Sequence, residues 1–202
     1  MSNYSLENYS FKFLSSSIIS SCKPFSCGTK QNDNDLNDFF TSDFLSYEEN
    51  LFGKTYCFVD EVNNEIVCAF TVSNDSVKAS FMDNSSKRRI RKKLAQSKAT
   101  LKSYPAVLIG RLGVNVKYQK YKLGSQLLDF IKSWFIDGMN KTGCRFILVD
   151  AYNDEKPLNY YYKNDFVAIF KSEKEEKEYY KIKSEDSLRT RLLFFDLIKL
   201  KA

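Results

Sequence analysis

A long apolar run, a short basic turn and an amphipathic helix follow one another in this chain. Residues 105–116 are mostly apolar, as expected of a central strand buried on both faces. Residues 117–122 bring three lysines, and the helix that follows has an apolar face made of Leu123, Leu127, Leu128, Phe130, Ile131, Trp134 and Phe135. The first N–H groups of a helix lack partners within it, and the helix dipole is positive there. The turn therefore predicts an anion site suited to a pyrophosphate.

The other periodic segments predict a mixed α/β fold around this unit. Two runs typical of strands, residues 54–60 and 65–73, flank a turn at 62–64 and predict an antiparallel hairpin. Later strands and helices complete the pattern: a helix or broken helix pair at 36–51, strands at 145–150, 166–170 and 190–200, and a short helix at 154–163. This order predicts an α+β (mixed α/β) architecture with a mostly antiparallel, twisted sheet flanked by helices.

Length and composition set the remaining structural expectations. With 202 residues, the chain predicts a single domain spanning 1–202, of which residues 1–8 are expected to be loose. Residues 15–31 are predicted as a loop, and residues 171–187, which mix Lys and Glu, as a solvated loop or the tip of an extended hairpin. No segment has the pattern of a signal peptide or an apolar run long enough to cross a membrane, so we expect a cytoplasmic protein.

Two residue types exclude whole classes of site. The chain contains no histidine, which excludes a histidine triad, a histidine base and a histidine metal ligand. Its five cysteines include no CxxC pair, so no metal site is expected and the thiols are predicted to be reduced. Cys22 and Cys27 lie close together in the sequence, so a disulfide between them remains an alternative.

The segment 111–128 resembles motif A of the GNAT superfamily of N-acetyltransferases. The family pattern is Gln or Arg, two residues, Gly, any residue, then Gly or Ala, and Gln119, Lys122 and Gly124 stand in those three positions. The first family glycine is thus a lysine, which requires Lys122 either to avoid a positive φ or to tolerate its strain. Gly110 and Gly113, in the preceding strand, indicate a bulge or a close approach by another group.

The resemblance extends to the second half of the chain. Residues 149–153 look like the family's motif B, and residues 160–166 align with its Phe-Tyr-x-x-x-Gly-Phe pattern. In that register Tyr161 is the tyrosine beside the CoA sulfur, and Asp165 replaces a glycine. Residues 25–28, 36–40, 55–59 and 104–114 are similar to the branch that includes toxins of type II toxin–antitoxin pairs, which acetylate aminoacyl-tRNA.

The resemblance implies the GNAT fold and direct attack of an amine on acetyl-CoA in a ternary complex. The residues that it implies for acetyl-CoA binding are Leu112, Val114, Val116, Gln119, Lys120, Tyr121, Lys122, Leu123, Gly124, Ser125 and Asn153. Among these, the amides of Leu112, Val114 and Val116 would bind the pantetheine and polarise the thioester carbonyl. Tyr161 would be the general acid, while the base stays open between Asp150, Glu65 and a water chain. The implied partners are an amine acceptor with tRNA as a candidate, an antitoxin protein and a second copy in a homodimer, but no membrane.

A basic segment forms the other prominent feature. Residues 87–102 contain eight lysines and arginines and no acidic residue, against a net charge of +6 for the whole chain. The candidate contacts to a nucleic-acid backbone are Lys87, Arg88, Arg89, Arg91, Lys92 and Lys93. A solvated charged helix, a grip on the 3′-phosphate of CoA and an acidic partner protein remain alternatives.

Two other functions compete with acetylation of aminoacyl-tRNA. The chain could be a GNAT enzyme that acetylates a small amine or a protein lysine. It could also be a non-catalytic GNAT-fold module that binds RNA or protein, because Lys122 and Asp165 replace family glycines.

Overall fold

The computed structural model describes residues 4–92, 100–140 and 142–201. In chain order its strands and α-helices are β1 (Ser10–Phe13), α1 (Ser16–Ser21), α2 (Gln31–Asp38), α3 (Phe44–Glu49), β2 (Lys54–Asp60), β3 (Glu65–Lys78), α4 (Asn84–Arg91), β4 (Ser103–Val114), α5 (Leu123–Ile136), β5 (Phe146–Tyr152), α6 (Glu155–Lys163), β6 (Val167–Ala168), α7 (Glu173–Tyr180) and β7 (Thr190–Asp196). A π-helical stretch, Phe39–Asp43, joins α2 to α3. No helix within the described residues has the length and apolar character needed to cross a membrane.

The strands form a seven-stranded sheet in the order β1-β2-β3-β4-β5-β7-β6. The β2–β3 hairpin is antiparallel, from Lys54 opposite Val72 to Asp60 opposite Glu65. Antiparallel pairing also joins β1 to β2, β5 to β7 and β6 to β7. The predicted mixed α/β class with a mostly antiparallel sheet is therefore confirmed.

The chain divides into two compact units, and each has a core of its own. The first unit comprises Met1–Ser73 and Ile109–Ile131, and the second comprises Asn74–Leu108 and Lys132–Ala202. Large side chains from the first half of the chain fill the first core, among them Leu14, Phe25, Phe40, Phe44 and Ile66. Aromatic and aliphatic side chains of the later strands fill the second core, among them Tyr104, Phe146, Leu148, Phe170 and Phe194.

Helix α1 lies where a loop was predicted. The Ser15 hydroxyl accepts the Ile18 N–H at 3.4 Å and caps the helix N-terminus. Ile18 and Ile19 then pack against the first core. A serine-rich segment has little helical period, so the cap and the packing of two isoleucines decide its structure.

Helix α7 is the second departure from the predicted loops. Ser172 accepts the Glu175 N–H at 3.3 Å, and three glutamates in the first turn favour the helix dipole. Lys181 ends the helix in the left-handed conformation at φ 58°. The Tyr179 ring packs on Phe170 at 4.9 Å, which ties this charged helix to the second core.

Candidate functional site

The turn between β4 and α5, residues 117–126, is called the anion turn here. It contains a 3₁₀ turn, Gln119–Tyr121, after which Lys122 takes the left-handed conformation at φ 59° and ψ 19°. Helix α5 begins at the next residue, Leu123. A left-handed conformation costs a residue with a Cβ about 1–2 kcal/mol. Lys122 therefore bears the strain of a positive φ, and surrounding contacts must hold the turn in place.

The turn leaves backbone donors at the start of α5. The N–H groups of Ser125 and Gln126 donate to the Lys122 carbonyl at 3.2 and 3.4 Å. By contrast, the N–H groups of Lys122 and Leu123 donate to no group in the part of the chain that the structure describes. The Leu123 side chain is fully buried, so only its backbone can face a ligand. Two open amides at a helix N-terminus are the donors that a pyrophosphate requires.

The three lysines of the turn differ in what they contact. Lys117 forms an ion pair with Glu65 at 2.6 Å and is therefore neutralised. The Lys120 ammonium lies over the Tyr121 ring, 5.2 Å from its centroid. The exposed Lys122 side chain pairs with no acid among the described residues. Lys120 and Lys122 are thus the cations that remain available to an anionic ligand.

Glu65 anchors one side of the turn. It is only 7% exposed, and its carboxylate accepts bonds from Lys117 at 2.6 Å, Lys23 at 3.0 Å and the Tyr118 hydroxyl at 3.0 Å. These partners, Lys117 foremost, lower the pKa of Glu65 from its ordinary 4.5 to about 2. A carboxylate this acidic is a poor proton acceptor, so its geometry fits an anchor better than the base it was considered to be.

A second anchor comes from the start of the chain, in residues 4–6, which we call the N-terminal clasp. The Gln126 side chain accepts the Leu6 N–H at 2.8 Å and donates to the Tyr4 carbonyl at 3.3 Å. The Tyr4 ring stacks on Tyr121 with centroids 3.6 Å apart and planes 14° apart. Within the segment expected to be loose, residues 1–8, Leu6 is buried and its N–H is bonded to Gln126. Residues 1–3 lie outside the described residues.

The end of β4 is tied to the loop that precedes α2. The Gln119 side-chain amide donates to the Cys27 carbonyl at 2.7 Å and to the Val114 carbonyl at 3.1 Å. The Val116 N–H donates to the Ser26 carbonyl at 2.7 Å. The predicted role of the Val116 amide in cofactor binding is therefore not supported, because a neighbouring carbonyl already occupies it.

Gly113 in β4 lies against the same loop. A Cβ at this position would stand 2.6 Å from Cys27 Sγ and 3.0 Å from Phe40 Cε2. The close approach expected of this strand is thus confirmed at Gly113, whereas Gly110 has no atom within 4 Å of such a Cβ. Leu112 and Val114, the other two predicted amide donors, are half-buried.

Tyr161 lies on α6 in the second unit. Its ring packs edge-on against Phe166 at 5.5 Å and Tyr160 at 5.0 Å. Burial raises the pKa of its phenol, so the hydroxyl stays protonated at neutral pH, as a general acid requires. That hydroxyl bonds to no group within residues 4–92, 100–140 and 142–201. Asp165, just after α6, has φ 65°, so it too is left-handed where the family pattern has glycine.

Two polar residues near the end of β5 have different environments. The Asn153 amide donates to Glu173 Oε1 at 2.8 Å and to the Leu188 carbonyl at 2.9 Å. The predicted contact of Asn153 with the cofactor is therefore not supported, since its donors are already used within the second unit. Asp150 is exposed at its surface, but protein atoms around its carboxyl partly desolvate it, and this, followed by the charges of Glu176 and Asp75, raises its pKa.

Helix α4 carries the predicted nucleic-acid contacts, and they divide into two groups. Arg89 donates to the carbonyls of Ala168 at 2.8 Å and Ile169 at 3.3 Å, which makes it a structural contact rather than a free cation. Lys93 lies outside the described residues. The other four line one open cleft with Asn84; they are Lys87, Arg88, Arg91 and Lys92.

Comparisons with known proteins give a fold and no close relative. No protein-family model matches the chain, and no curated protein sequence does either. A solved tyrosine-to-phenylalanine mutant of KacT is similar at TM-score 0.67 and 16% identity, with 96% of this chain and 98% of that chain covered.

Two structures of AtaT are similar as well. AtaT complexed with acetyl-methionyl-tRNAfMet matches at TM-score 0.64 and 16% identity, covering 96% of this chain and 97% of that one. A mutant of the AtaT toxin bound to acetyl-CoA and the C-terminus of the antitoxin AtaR matches at TM-score 0.61 and 15% identity, covering 96% of each chain. The chain has the GNAT fold that these proteins share.

Proposed function

We propose that this chain transfers an acetyl group from acetyl-CoA to an amine. The observation that carries the proposal is the left-handed turn at Lys122, which leaves the amides of Lys122 and Leu123 open at the start of α5. These donors, with two lysines beside them, fit a pyrophosphate. The GNAT fold, and the acetyl-CoA named in one AtaT structure, favour a CoA thioester as the molecule that carries it.

The anion turn and β4 would divide the binding of acetyl-CoA between them. The amides of Lys122 and Leu123, with the side chains of Lys120 and Lys122, would hold the pyrophosphate. The amide of Leu112 stays the proposed donor to the pantetheine and the thioester carbonyl, whereas the Val114 N–H, also predicted for this role, already bonds the Cys27 sulfur. Acetyl-CoA supplies an activated acyl group that a neutral amine can attack directly, so no covalent enzyme intermediate and no histidine are needed.

Two side chains of the second unit are proposed for proton transfer. Tyr161 would donate its phenolic proton to the departing thiolate, and its raised pKa keeps that proton in place until then. Asp150 is the better of the two carboxylates considered as a base, because its pKa is raised while that of Glu65 is lowered to about 2. A base with a higher pKa accepts the proton of an attacking ammonium more readily.

The proposed acceptor is the amine of an aminoacyl-tRNA. It is supported by the acetyl-methionyl-tRNAfMet bound to AtaT and by the basic helix α4 of this chain. An antitoxin is the proposed protein partner, because one AtaT structure contains the C-terminus of the antitoxin AtaR. Cytoplasmic localisation and a homodimer stay predictions.

Two measurements test the function. Calorimetry should give binding of acetyl-CoA well below the millimolar range, and no binding would leave only a non-catalytic module. Radiolabelled acetyl-CoA should then acetylate aminoacyl-tRNA in preference to free amino acids, small amines and lysine peptides at equal concentration. Transfer to the small amines or peptides alone would replace the tRNA acceptor with one of those substrates while retaining the acetyltransferase.

A further inference from the structure

The exposed side of α4 forms a cleft of about 350 Å³ lined by four cations and an amide. Asn84, Lys87, Arg88, Arg91 and Lys92 recur at three- and four-residue intervals, so they lie along one stripe of the helix. Among the described residues, no apolar and no aromatic side chain lines the cleft. We call this feature the α4 cleft.

The four cations of the α4 cleft have no partner among the residues that the structure describes. Lys87, Arg88, Arg91 and Lys92 form no ion pair and no side-chain hydrogen bond with any residue that the structure describes. The Nε of Arg91 is buried and still lacks a hydrogen-bond partner there. In addition, the sequence from 84 to 102 contains no acidic residue that could neutralise them. Such a concentration of unpaired charge, with one donor withdrawn from solvent, favours an anionic ligand over a helix face that is merely solvated.

The helix itself is held firmly, so it presents these cations from a fixed position. Asp83 caps its N-terminus by accepting the N–H groups of Ser85 and Ser86 at 2.6 and 3.1 Å. Ile90 is fully buried in the second core, and Arg89 bonds two carbonyls of the β6 segment. Of the remaining basic side chains, those of Arg88 and Lys92 are exposed and those of Lys87 and Arg91 are half-buried.

The spacing of the cations matches a chain of phosphates better than a single one. Lys87 and Arg88 lie one helical turn from Arg91 and Lys92, which is about 6 Å along the axis. An acidic protein would be expected to meet apolar side chains at the centre of its interface, and the described residues that line the α4 cleft include none. The lack of aromatic side chains likewise argues against stacking on bases and for contact with the backbone alone.

We propose that the α4 cleft binds consecutive phosphates of an RNA backbone without reading the base sequence. This inference deepens the proposed function, because it assigns to α4 contacts with the backbone of the proposed tRNA acceptor. Arginine and lysine would contribute differently, since the guanidinium groups can bind phosphate oxygens in pairs and the ammonium groups act as point charges.

The test uses the full chain and a fluorescent, uncharged RNA hairpin with an acceptor-stem end, without acetyl-CoA. Anisotropy titrations over a range of KCl concentrations give the affinity and its salt dependence. Lys87→Gln/Arg91→Gln should weaken binding about tenfold or more at low salt and reduce the log–log salt slope by about two, one per lost phosphate contact. A hairpin of different sequence should give the same result.

A matched control separates the α4 cleft from total charge. Lys174→Gln/Lys183→Gln removes two exposed lysines from the same unit, and neither forms an ion pair or side-chain hydrogen bond with a described residue. This variant should stay within about twofold of the parent affinity. Equal weakening by both pairs would overturn the proposal, because binding would then follow net charge alone. If Lys87→Gln/Arg91→Gln melts early, Arg88→Gln/Lys92→Gln provides the same test on wholly different side chains.

Three further outcomes distinguish the rivals. Loss of acetyl-CoA affinity in the α4 variants, with RNA binding unchanged, would assign the α4 cleft to the 3′-phosphate of CoA. Displacement of the RNA by polyglutamate at equal charge concentration would favour an acidic protein. If the parent protein binds RNA through α4 but fails to bind acetyl-CoA, the proposed function falls and this inference stands.

Discussion

The anion turn and the α4 cleft both offer positive charge to an anion, but they offer it from different groups: backbone amides in the turn and side chains in the cleft. In the anion turn the side chains of Lys117, Gln119 and Gln126 are bonded to protein, and the open donors are backbone amides. In α4 the backbone is capped and bonded, and the open donors are the ends of long side chains.

This difference indicates two kinds of recognition. Backbone amides held by several anchors keep one geometry, which suits a ligand part that is always the same, such as a pyrophosphate. Lysine and arginine side chains retain rotational freedom and can follow phosphates whose positions differ between RNA molecules. The first arrangement should be sensitive to changes in its anchors, and the second to the number of charges.

The largest expected effect concerns Tyr161, whose hydroxyl is proposed as the general acid. Tyr161→Phe should lower kcat about 100-fold or more, because a general acid contributes that much, while the Kd for acetyl-CoA stays the same. Steady-state kinetics and calorimetry measure the two quantities. Tyr162→Phe removes a hydroxyl from a neighbouring, 43% exposed residue and should be nearly silent. A loss of turnover at Tyr162 instead would show that the alignment is shifted by one residue.

The next effect breaks an anchor of the anion turn. Glu65→Gln should lower the free energy of unfolding by about 1–3 kcal/mol, because it removes the charge that two lysines and a tyrosine hydroxyl share. Since the pKa of Glu65 is lowered to about 2, its stabilisation is fully present above pH 4.5 and is lost as the pH falls toward 2. Thermal melts from pH 6 to pH 2 should therefore be flatter for the variant.

Glu61→Gln is the control for that experiment. Glu61 pairs with Lys12 at 2.6 Å on the surface, where its side chain is 57% exposed, so its substitution should change the free energy of unfolding much less than Glu65→Gln does. If the two variants lose stability equally, the buried Glu65 does not anchor the turn more strongly than a surface ion pair does. The contrast between an anchored anion turn and the α4 cleft would then fail.

A smaller effect concerns the N-terminal clasp. Gln126→Ala removes both bonds to residues 4 and 6 and should weaken acetyl-CoA binding about fivefold, which is about 1 kcal/mol. Gln126→Glu keeps an acceptor for the Leu6 N–H and loses the donor to the Tyr4 carbonyl, so its affinity should lie between. Calorimetry measures the Kd for acetyl-CoA of each variant at a temperature where all of the variants are folded. An unchanged affinity in Gln126→Ala would mean that the clasp contributes to folding but does not order the amides.

The smallest effect isolates the backbone of the turn. Lys122→Gly and Lys122→Ala remove the same charge, but only glycine relieves the left-handed strain at φ 59°. The glycine variant should therefore be more stable than the alanine variant by about 1 kcal/mol or less, because its unfolded chain is also more flexible. Chemical denaturation would resolve the pair. An alanine variant as stable as the glycine variant would indicate that residue 122 leaves the left-handed conformation.

The sequence predicted the elements with strong periodicity and missed those fixed by single contacts. The hairpin, β4 and α5 follow from apolar patterns that local sequence carries. Helices α1 and α7 depend on serine caps and a few packed side chains, which leave little pattern. The anion turn was predicted from its basic residues and helix start, because these are adjacent along the chain.

The anchors of the anion turn could not be predicted in the same way. The bond from Leu6 to Gln126 joins residues 120 positions apart, and the bond from Lys117 to Glu65 joins residues 52 apart. Nothing in the local composition of either segment points to the other. The partners that Val116 and Asn153 have in the structure, Ser26 and Leu188 among them, likewise come from other parts of the chain.

The left-handed residues Lys122 and Asp165 have a consequence for how proteins of this shape can be detected. A search profile built from glycine at these two columns scores lysine and aspartate as mismatches, although the path of the backbone can be retained. A profile that scored backbone dihedral angles in place of amino-acid identities would accept any residue able to bear the strain of a left-handed conformation, about 1–2 kcal/mol. Screening genomes in that way should recover further chains of this fold whose sequences have diverged at these two positions while the backbone conformation is retained.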